Sequence, residues 1–307
     1  KGPLAGYRVV DLTRIVLGPL ASQMLGDLGA DVIKVEEPAG DLARAIGTTR
    51  NAGMASCFLN CNRNKRSICL DLKQPEGLAA MLDLVKTADV FIHALRPQAV
   101  RKLGIAYEDL KAVNPNLVYV GAYGFSESGP YGHKTAFDDI IQAASGGASI
   151  QGTLLDQPRY VSFIQADKTC GLMACNAVVA ALLHRERTGE GQFVEVPMFE
   201  TMVGMNMVEH LDGATFADAD GPTKYVRLMT PWRKPYPSKD GWVAILPYDN
   251  RQWAVVLEAA GRKDLVDHPH FNSFAARQTH IEEVYSTLSE LAGALTTDEW
   301  LPKLEPH

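Results

Sequence analysis

The sequence predicts an α/β protein, with a large domain built on a parallel sheet and a smaller α+β module after it. Three observations carry this. Strand-like and helix-like segments alternate as far as residue 211, the turns between them are short, and "DGATFADADGPTKYV" (212–226) then shifts to Gly, Asp and Pro before a hairpin and further helices. The boundaries expected are therefore a large domain over 1–211, a linker over 212–226 and a small domain over 227–307.

"YRVVDLT" (7–13) alternates and is β-branched, which predicts the first strand. A helix follows over 18–30, where Pro19 suits a first turn, and "DVIKVEEP" (31–38) is the second strand. Strand, helix and strand joined this closely make a parallel pair with a right-handed crossover. Next come a strand at 66–72, a helix at 75–88, a buried strand at 89–95, a helix in "YEDLKAVNP" and a strand at 117–124. A strand-like run from residue 160 gives way to a long apolar helix opened by Asp167, followed by a strand within 189–198 and a second core helix over 199–211. In the small domain, "YPSKDGWVAILP" (236–247) reads as a hairpin turning at "KDG", with helices at 250–261, 278–294 and 297–304.

At 307 residues the chain can bury a large core, and 46% hydrophobic with 21% charged residues is a globular composition. A formal net charge of -6 argues against general affinity for nucleic acid or acidic membranes, so any anionic ligand needs a local basic cluster. Cys57, Cys61, Cys69, Cys170 and Cys175 are odd in number and show no CxxC spacing, which predicts reduced, buried thiols rather than a disulfide frame or a zinc site. The opening "KGPLAGYRVVDLTR" lacks the pattern of a secretory leader and no uninterrupted apolar run reaches spanning length, so the expectation is a cytoplasmic protein with no membrane partner.

The turn after the first strand has Gly18 before Pro19 but no GxGxxG, so a nicotinamide site is poorly supported; Walker A and HExxH patterns are also missing. Basic residues do recur where strands end: Lys34, Arg44, Arg63, Lys65, Arg66, Arg96 and Lys134. Singly each reads as a solvated surface charge; together, at the end of a parallel sheet where ligands bind, they read as a grip for phosphates. Asp167 before an apolar helix reads first as an N-cap, and a helix N-terminus would also favour the ionised carboxylate that a nucleophile requires. His93 reads as a core histidine and His133 as a surface one. Arg227, Trp232, Arg233 and Lys234 open the small domain; they read as a basic linker or as a hold on the second polar end of an acid.

Several stretches in order along the chain resemble the family III CoA-transferases, the group that includes formyl-CoA transferase and carnitine CoA-transferase. They are "GPLAGYRVVDLTRIVLGPLASQMLGDLGADVIKVEEPAGDLAR", "LNCNRNKRSICLDLKQPEG", "LRPQAVRKLGI", "NPNLVYVGAYGFSESGPYGHKTAFDDIIQAASG", "ADKTCGLMACNAVVAALLHRERTGEGQFVEVPMFE" and "SKDGWVAI". The resemblance implies a Rossmann-like, CoA-binding large domain, a smaller domain, and two chains interlocked as a homodimer. It makes Asp167 the nucleophile and places CoA contacts at Arg44, Lys65, Arg66, Arg96 and Lys134. The substrates implied are an acyl-CoA and a small carboxylic acid, exchanged through aspartyl anhydride and aspartyl-CoA thioester intermediates without metal or redox cofactor. Val16 stands where formyl-CoA transferase has Gln, which argues against oxalate-type handling. The α-methylacyl-CoA racemases are similar too, but Phe137 occupies the position of their catalytic His and cannot move a proton. A non-catalytic CoA-binding protein is the remaining alternative. Members of the family usually continue beyond the point where this chain stops, with a segment that returns to the large domain.

Overall fold

The backbone lays down strands β1 Arg8–Leu12, β2 Asp31–Glu36, β3 Lys65–Cys69, β4 Val90–His93, β5 Val118–Tyr123 and β6 Phe193–Pro197 as one parallel sheet. Their order is β3-β2-β1-β4-β5-β6, the doubly wound Rossmann-like arrangement, so the α/β expectation holds. This is a computed structural model that describes residues 2–154, 157–218, 221 and 223–304. The α-helices, in chain order, are α1 Leu17–Asp27, α2 Ser56–Cys61, α3 Pro75–Lys86, α4 Pro97–Leu103, α5 Tyr107–Val113, α6 Asp138–Ala144, α7 Gly147–Gly152, α8 Gln165–Thr188, α9 Met198–His210, α10 Asn250–Ala259, α11 Phe274–Thr279, α12 Ile281–Ala292 and α13 Thr297–Leu304.

The chain forms two compact units: one of Lys1–Ser149 with Arg159–Asn206, the other of Ile150–Pro158 with Met207–His307. In the first, strand alternation sends successive side chains to opposite layers. Val9, Ile92, Val118 and Val120 pack with Leu17, Ala21 and Leu25 of α1 and with Ala174, Val178 and Leu182 of α8. Val10, Phe91 and Tyr119 face the other way, onto Met81 and Val85 of α3, Val100 of α4 and Leu110 of α5. Helix α8 is long and apolar enough to cross a membrane by composition, yet its buried stripe is core of this layer. It lies against α1 with almost no gap, because Gly171 has no side chain; a Cβ there would stand 2.9 Å from the Leu17 carbonyl oxygen.

Sequence and structure part in several places. The run from residue 160 pairs with no strand; Phe163 and Ile164 are exposed, and β-branching alone does not make a strand without a neighbour to bond. Helices α2, α4, α6 and α11 span six or seven residues, too short for hydrophobic periodicity. Of the thiols expected to be buried, Cys61, Cys170 and Cys175 are, while Cys69 is exposed and Cys57 half-buried; all five are free.

The second unit has its own core of Trp253, Val256, Leu257, Val284, Leu288 and Trp300. The hairpin is present in reduced form, as β7 Tyr236–Pro237 paired antiparallel with β8 Trp242–Val243 and closed by Ser238 N–H donating to the Gly241 carbonyl at 3.0 Å. Within 212–226, Asp212–Thr215 forms a 3₁₀ turn, while residues 219, 220 and 222 lie outside the described residues.

Candidate active site

The switch point of the sheet lies between β1 and β4, and the turn that leaves β1 is fixed from below by buried ions. Lys34 of β2 meets Asp41 at 2.9 Å, each about 1% exposed or less, and donates to the Thr13 carbonyl at 2.8 Å. Asp41 in turn accepts from the Ile15 N–H at 3.0 Å. That bond holds Ile15 at φ +69°, a left-handed backbone that a β-branched side chain resists. Asp11 of β1 accepts from Thr13 N–H at 2.9 Å and from Ser22 Oγ at 2.6 Å, and pairs with Lys65 at 3.1 Å. Burial opposes the Asp11 charge, but Lys65 and Lys34 outweigh it and hold the carboxyl below its usual range.

Above this turn lies a cavity of about 330 Å³ lined by Arg14, Val16, Leu17, Arg96, Lys134, Phe137 and Asp167. Asp167 is half-buried in the first turn of α8, two residues inside the helix, and its side chain caps nothing. The expected N-cap role is thus corrected: the capping position of α8 is Ile164, and the Asp167 N–H itself donates to Asp138 Oδ1 at 2.9 Å. Asp138 opens α6 and is held by Gln142, which donates to its other oxygen and accepts from the Val161 N–H at 3.0 Å. Whatever the helix end contributes to ionisation is outweighed. Burial, and then the like charge of Asp138, push the Asp167 carboxyl up to about 7. Sequence reasoning passed over Asp138 and Gln142, whose spacing of four on a helix was the available signal.

The basic residues divide into two sets. Arg96 and Lys134 line the Asp167 cavity, and Lys134 sits 4.2 Å over the Tyr131 ring. Lys65 is 2% exposed and its ammonium is spent on Asp11, the Pro19 carbonyl and Asn62, while Arg66 faces outward and pairs with Asp31. Arg44 forks onto Glu36 at 2.7 Å twice and lies 3.7 Å over Phe58. Burial raises the Glu36 carboxyl, yet Arg44, Ser67 and the Asp41 N–H overcome it and hold the group at about 2. A second cavity of about 210 Å³ adjoins the first through the shared residues Arg14 and Leu95; Leu72, Lys73 and Leu103 also line it, and the sequence had not singled these out. His93 is buried in the core and burial drops it to about 3, whereas His133 is exposed, as expected of each.

A parallel sheet whose switch point presents an acid with no ion-pair partner among the described residues, in a cavity also lined by Arg14, Arg96 and Lys134, is the plan of an α/β enzyme acting on an anionic substrate. The chain belongs to CoA-transferase family III, whose sequence model matches residues 4–307. It is 35% identical to a probable fatty acyl-CoA transferase of Mycobacterium tuberculosis, over 99% of this chain and 80% of that protein. It is 33% identical to the succinyl-CoA:glutarate CoA-transferase of Mus musculus, over 97% of this chain and 69% of that one. The orthorhombic crystal structure of the M. tuberculosis protein superimposes with a TM-score of 0.85 at 34% identity, covering 99% of this chain and 82% of that chain.

Proposed function

We propose that the chain moves CoA from an acyl-CoA donor to a carboxylic acid acceptor, with Asp167 as the covalent carrier. The observation that carries this is the Asp167 carboxyl at the switch-point cavity, raised to about 7 with no cation among the groups that set it. A carboxylate freed of strong partners is a better nucleophile than one locked in an ion pair.

In this reading an Asp167 oxygen attacks the thioester carbonyl carbon, the carbon–sulfur bond breaks, and the CoA thiolate departs from an aspartyl acyl anhydride. The thiolate attacks the Asp167 carbonyl carbon, releasing the donor acid and leaving an aspartyl-CoA thioester. The acceptor carboxylate attacks that same carbon and displaces thiolate, giving a second anhydride. Thiolate then attacks the acceptor's acyl carbon, forming the new thioester and returning Asp167 as carboxylate. One thioester replaces another, so positioning and exclusion of water from the anhydrides are the protein's main tasks. The N-termini of α1 and α8, which bring Leu17 and Asp167 to the cavity, supply positive dipole ends for the tetrahedral oxyanions.

CoA is assigned to the two adjoining cavities, with Arg96 and Lys134 lining one, Lys73 the other, and Arg14 shared. Arg44, Lys65 and Arg66 are assigned lesser parts, because their donors are engaged by Glu36, Asp11 and Asp31. The mouse relative's name makes succinyl-CoA with glutarate the first pair to assay. A working homodimer belongs to the proposal: Leu172, Met173, Val179 and Leu183 lie exposed along α8, apolar surface for a second copy to cover. So does a cytoplasmic location, where acyl-CoA is made and used.

The test is to incubate the protein with succinyl-CoA, quench with hydroxylamine and look by mass spectrometry for modification at Asp167. Asp167→Ala is expected to lower transfer at least about a thousandfold, on the order of 4 kcal/mol in barrier. Transfer at the wild-type rate by that variant would refute the assignment. A CoA-binding protein without catalysis would give neither adduct nor exchange, and a racemase would exchange the α-hydrogen in heavy water with no acid added. No His lines the Asp167 cavity among the described residues, which weighs against the racemase.

A further inference from the structure

The small unit carries a cavity of about 310 Å³ that the reaction above does not use, lined by Arg227, Arg233, Lys234, Tyr236, Ile245 and Tyr285, with Pro235, Ala244 and Leu246 completing its wall. In a chain with 36 acidic and 30 basic residues, three cations around one hollow would ordinarily find carboxylates. Among the described residues none of the three does. Arg227 donates through Nε to the Tyr285 hydroxyl at 2.9 Å, and Lys234 lies 5.2 Å over the Trp232 ring. Burial and the Tyr285 phenol push the Tyr236 hydroxyl up to about 12, while the Arg227 and Arg233 guanidiniums, which line the same cavity, pull against them.

Local structure explains the convergence. Arg227 stands in the short 3₁₀ turn Val226–Leu228, and Arg233 follows a turn closed by its own N–H donating to the Thr230 carbonyl at 3.3 Å. Pro235 then leads into β7, whose Tyr236 is buried beside the Tyr285 of α12. The basic run is therefore folded around a pocket instead of being strung out as a linker.

We propose that this pocket is a binding site for a short aliphatic dicarboxylate. Two guanidiniums and an ammonium match two carboxylates, since an Arg fork takes a carboxylate on two parallel bonds. The apolar wall of Pro235, Ala244, Ile245 and Leu246 suits the methylenes that separate them. A phosphate offers the charge without that apolar part. The site stands on this unit's own residues; only the step of calling its ligand the acceptor acid rests on the function proposed above.

The test is calorimetric titration of the whole chain, without CoA and at fixed ionic strength, with glutarate, butyrate and inorganic phosphate. Glutarate is expected to bind at least tenfold more tightly than butyrate and more tightly than phosphate. Arg227→Gln and Arg233→Gln should each weaken glutarate about tenfold and Lys234→Gln about threefold, while Lys239→Gln, in the hairpin turn outside the pocket, leaves it unchanged. Arg233→Lys, which keeps the charge, should recover part of the loss and guards against misreading a folding defect. Butyrate or phosphate binding as tightly as glutarate, or glutarate binding indifferent to all three pocket substitutions, would overturn the proposal. Asp167→Asn should bind glutarate at the wild-type strength, so a failure of the nucleophile assignment leaves this result standing; loss of binding in that variant would overturn the location.

Discussion

Two acids of the first unit, Asp11 fully buried and Asp167 half-buried, are pushed in opposite directions by their neighbours. Asp11 and Asp41 lie under the β1–α1 turn with Lys65 and Lys34 against them, and Asp11 is held well inside the ionised range. Asp138 and Asp167 face each other across a helix end with no such partner, and the second rises to about 7. Burial opposes the charge of Asp11 and of Asp167 alike; whether a cation stands alongside decides the sign. The paired acids shape the backbone, and the other one stands at the cavity with a raised carboxyl.

The largest effect expected from breaking this contrast is on the paired side. Asp41→Ala strands the Lys34 ammonium in the core and should destabilise the protein by about 3–5 kcal/mol in denaturant unfolding. Next, Gly171→Ala tests whether helix packing places Asp167, one turn away. Its methyl would press the Leu17 carbonyl and drive α8 from α1, at a cost of about 1–3 kcal/mol in stability and with a lower kcat at unchanged fold by circular dichroism.

The third concerns protons. With Asp167 near 7, the attacking carboxylate becomes populated as pH rises, so kcat/KM for the acyl-CoA should climb about tenfold between pH 6 and 8. Asp138→Asn removes the like charge and should move that rise to lower pH. The smallest effect is on thermal stability. The native carboxyl titrates above its ordinary 3.8, so the folded state holds an extra proton between 3.8 and about 7, and stability declines as pH rises across that window. Asp167→Asn escapes the penalty: its melting temperature should match wild type near pH 4 and exceed it at pH 8 by roughly 2–4 °C per kcal/mol relieved.

How much of this was legible depended on the range of the interaction. Val9, Val10, Phe91 and Ile92 announce the sheet because a short β-branched or apolar run is a local signal, and Gly104 with Pro97 frames α4 by cap chemistry that could have been read but was too brief for periodicity. The charge state of Asp167 was not legible, since it depends on Asp138, twenty-nine positions away in sequence and placed by a different helix. For the same reason the engagement of Lys65 was not legible: that its ammonium meets Asp11, Pro19 and Asn62 is a fact of tertiary structure alone. The resemblance pointed to Asp167, which the structure puts on the wall of the switch-point cavity, because whole-chain patterns carry tertiary history that single spacings do not.

Ile15 has one more consequence. Its main chain is bent against its own preference by an aspartate that no solvent reaches, so the rim of the cavity acquires its contour during folding and not on the arrival of a guest. The protein greets each thioester with a mould already set, and must tell good fits from bad ones without yielding there.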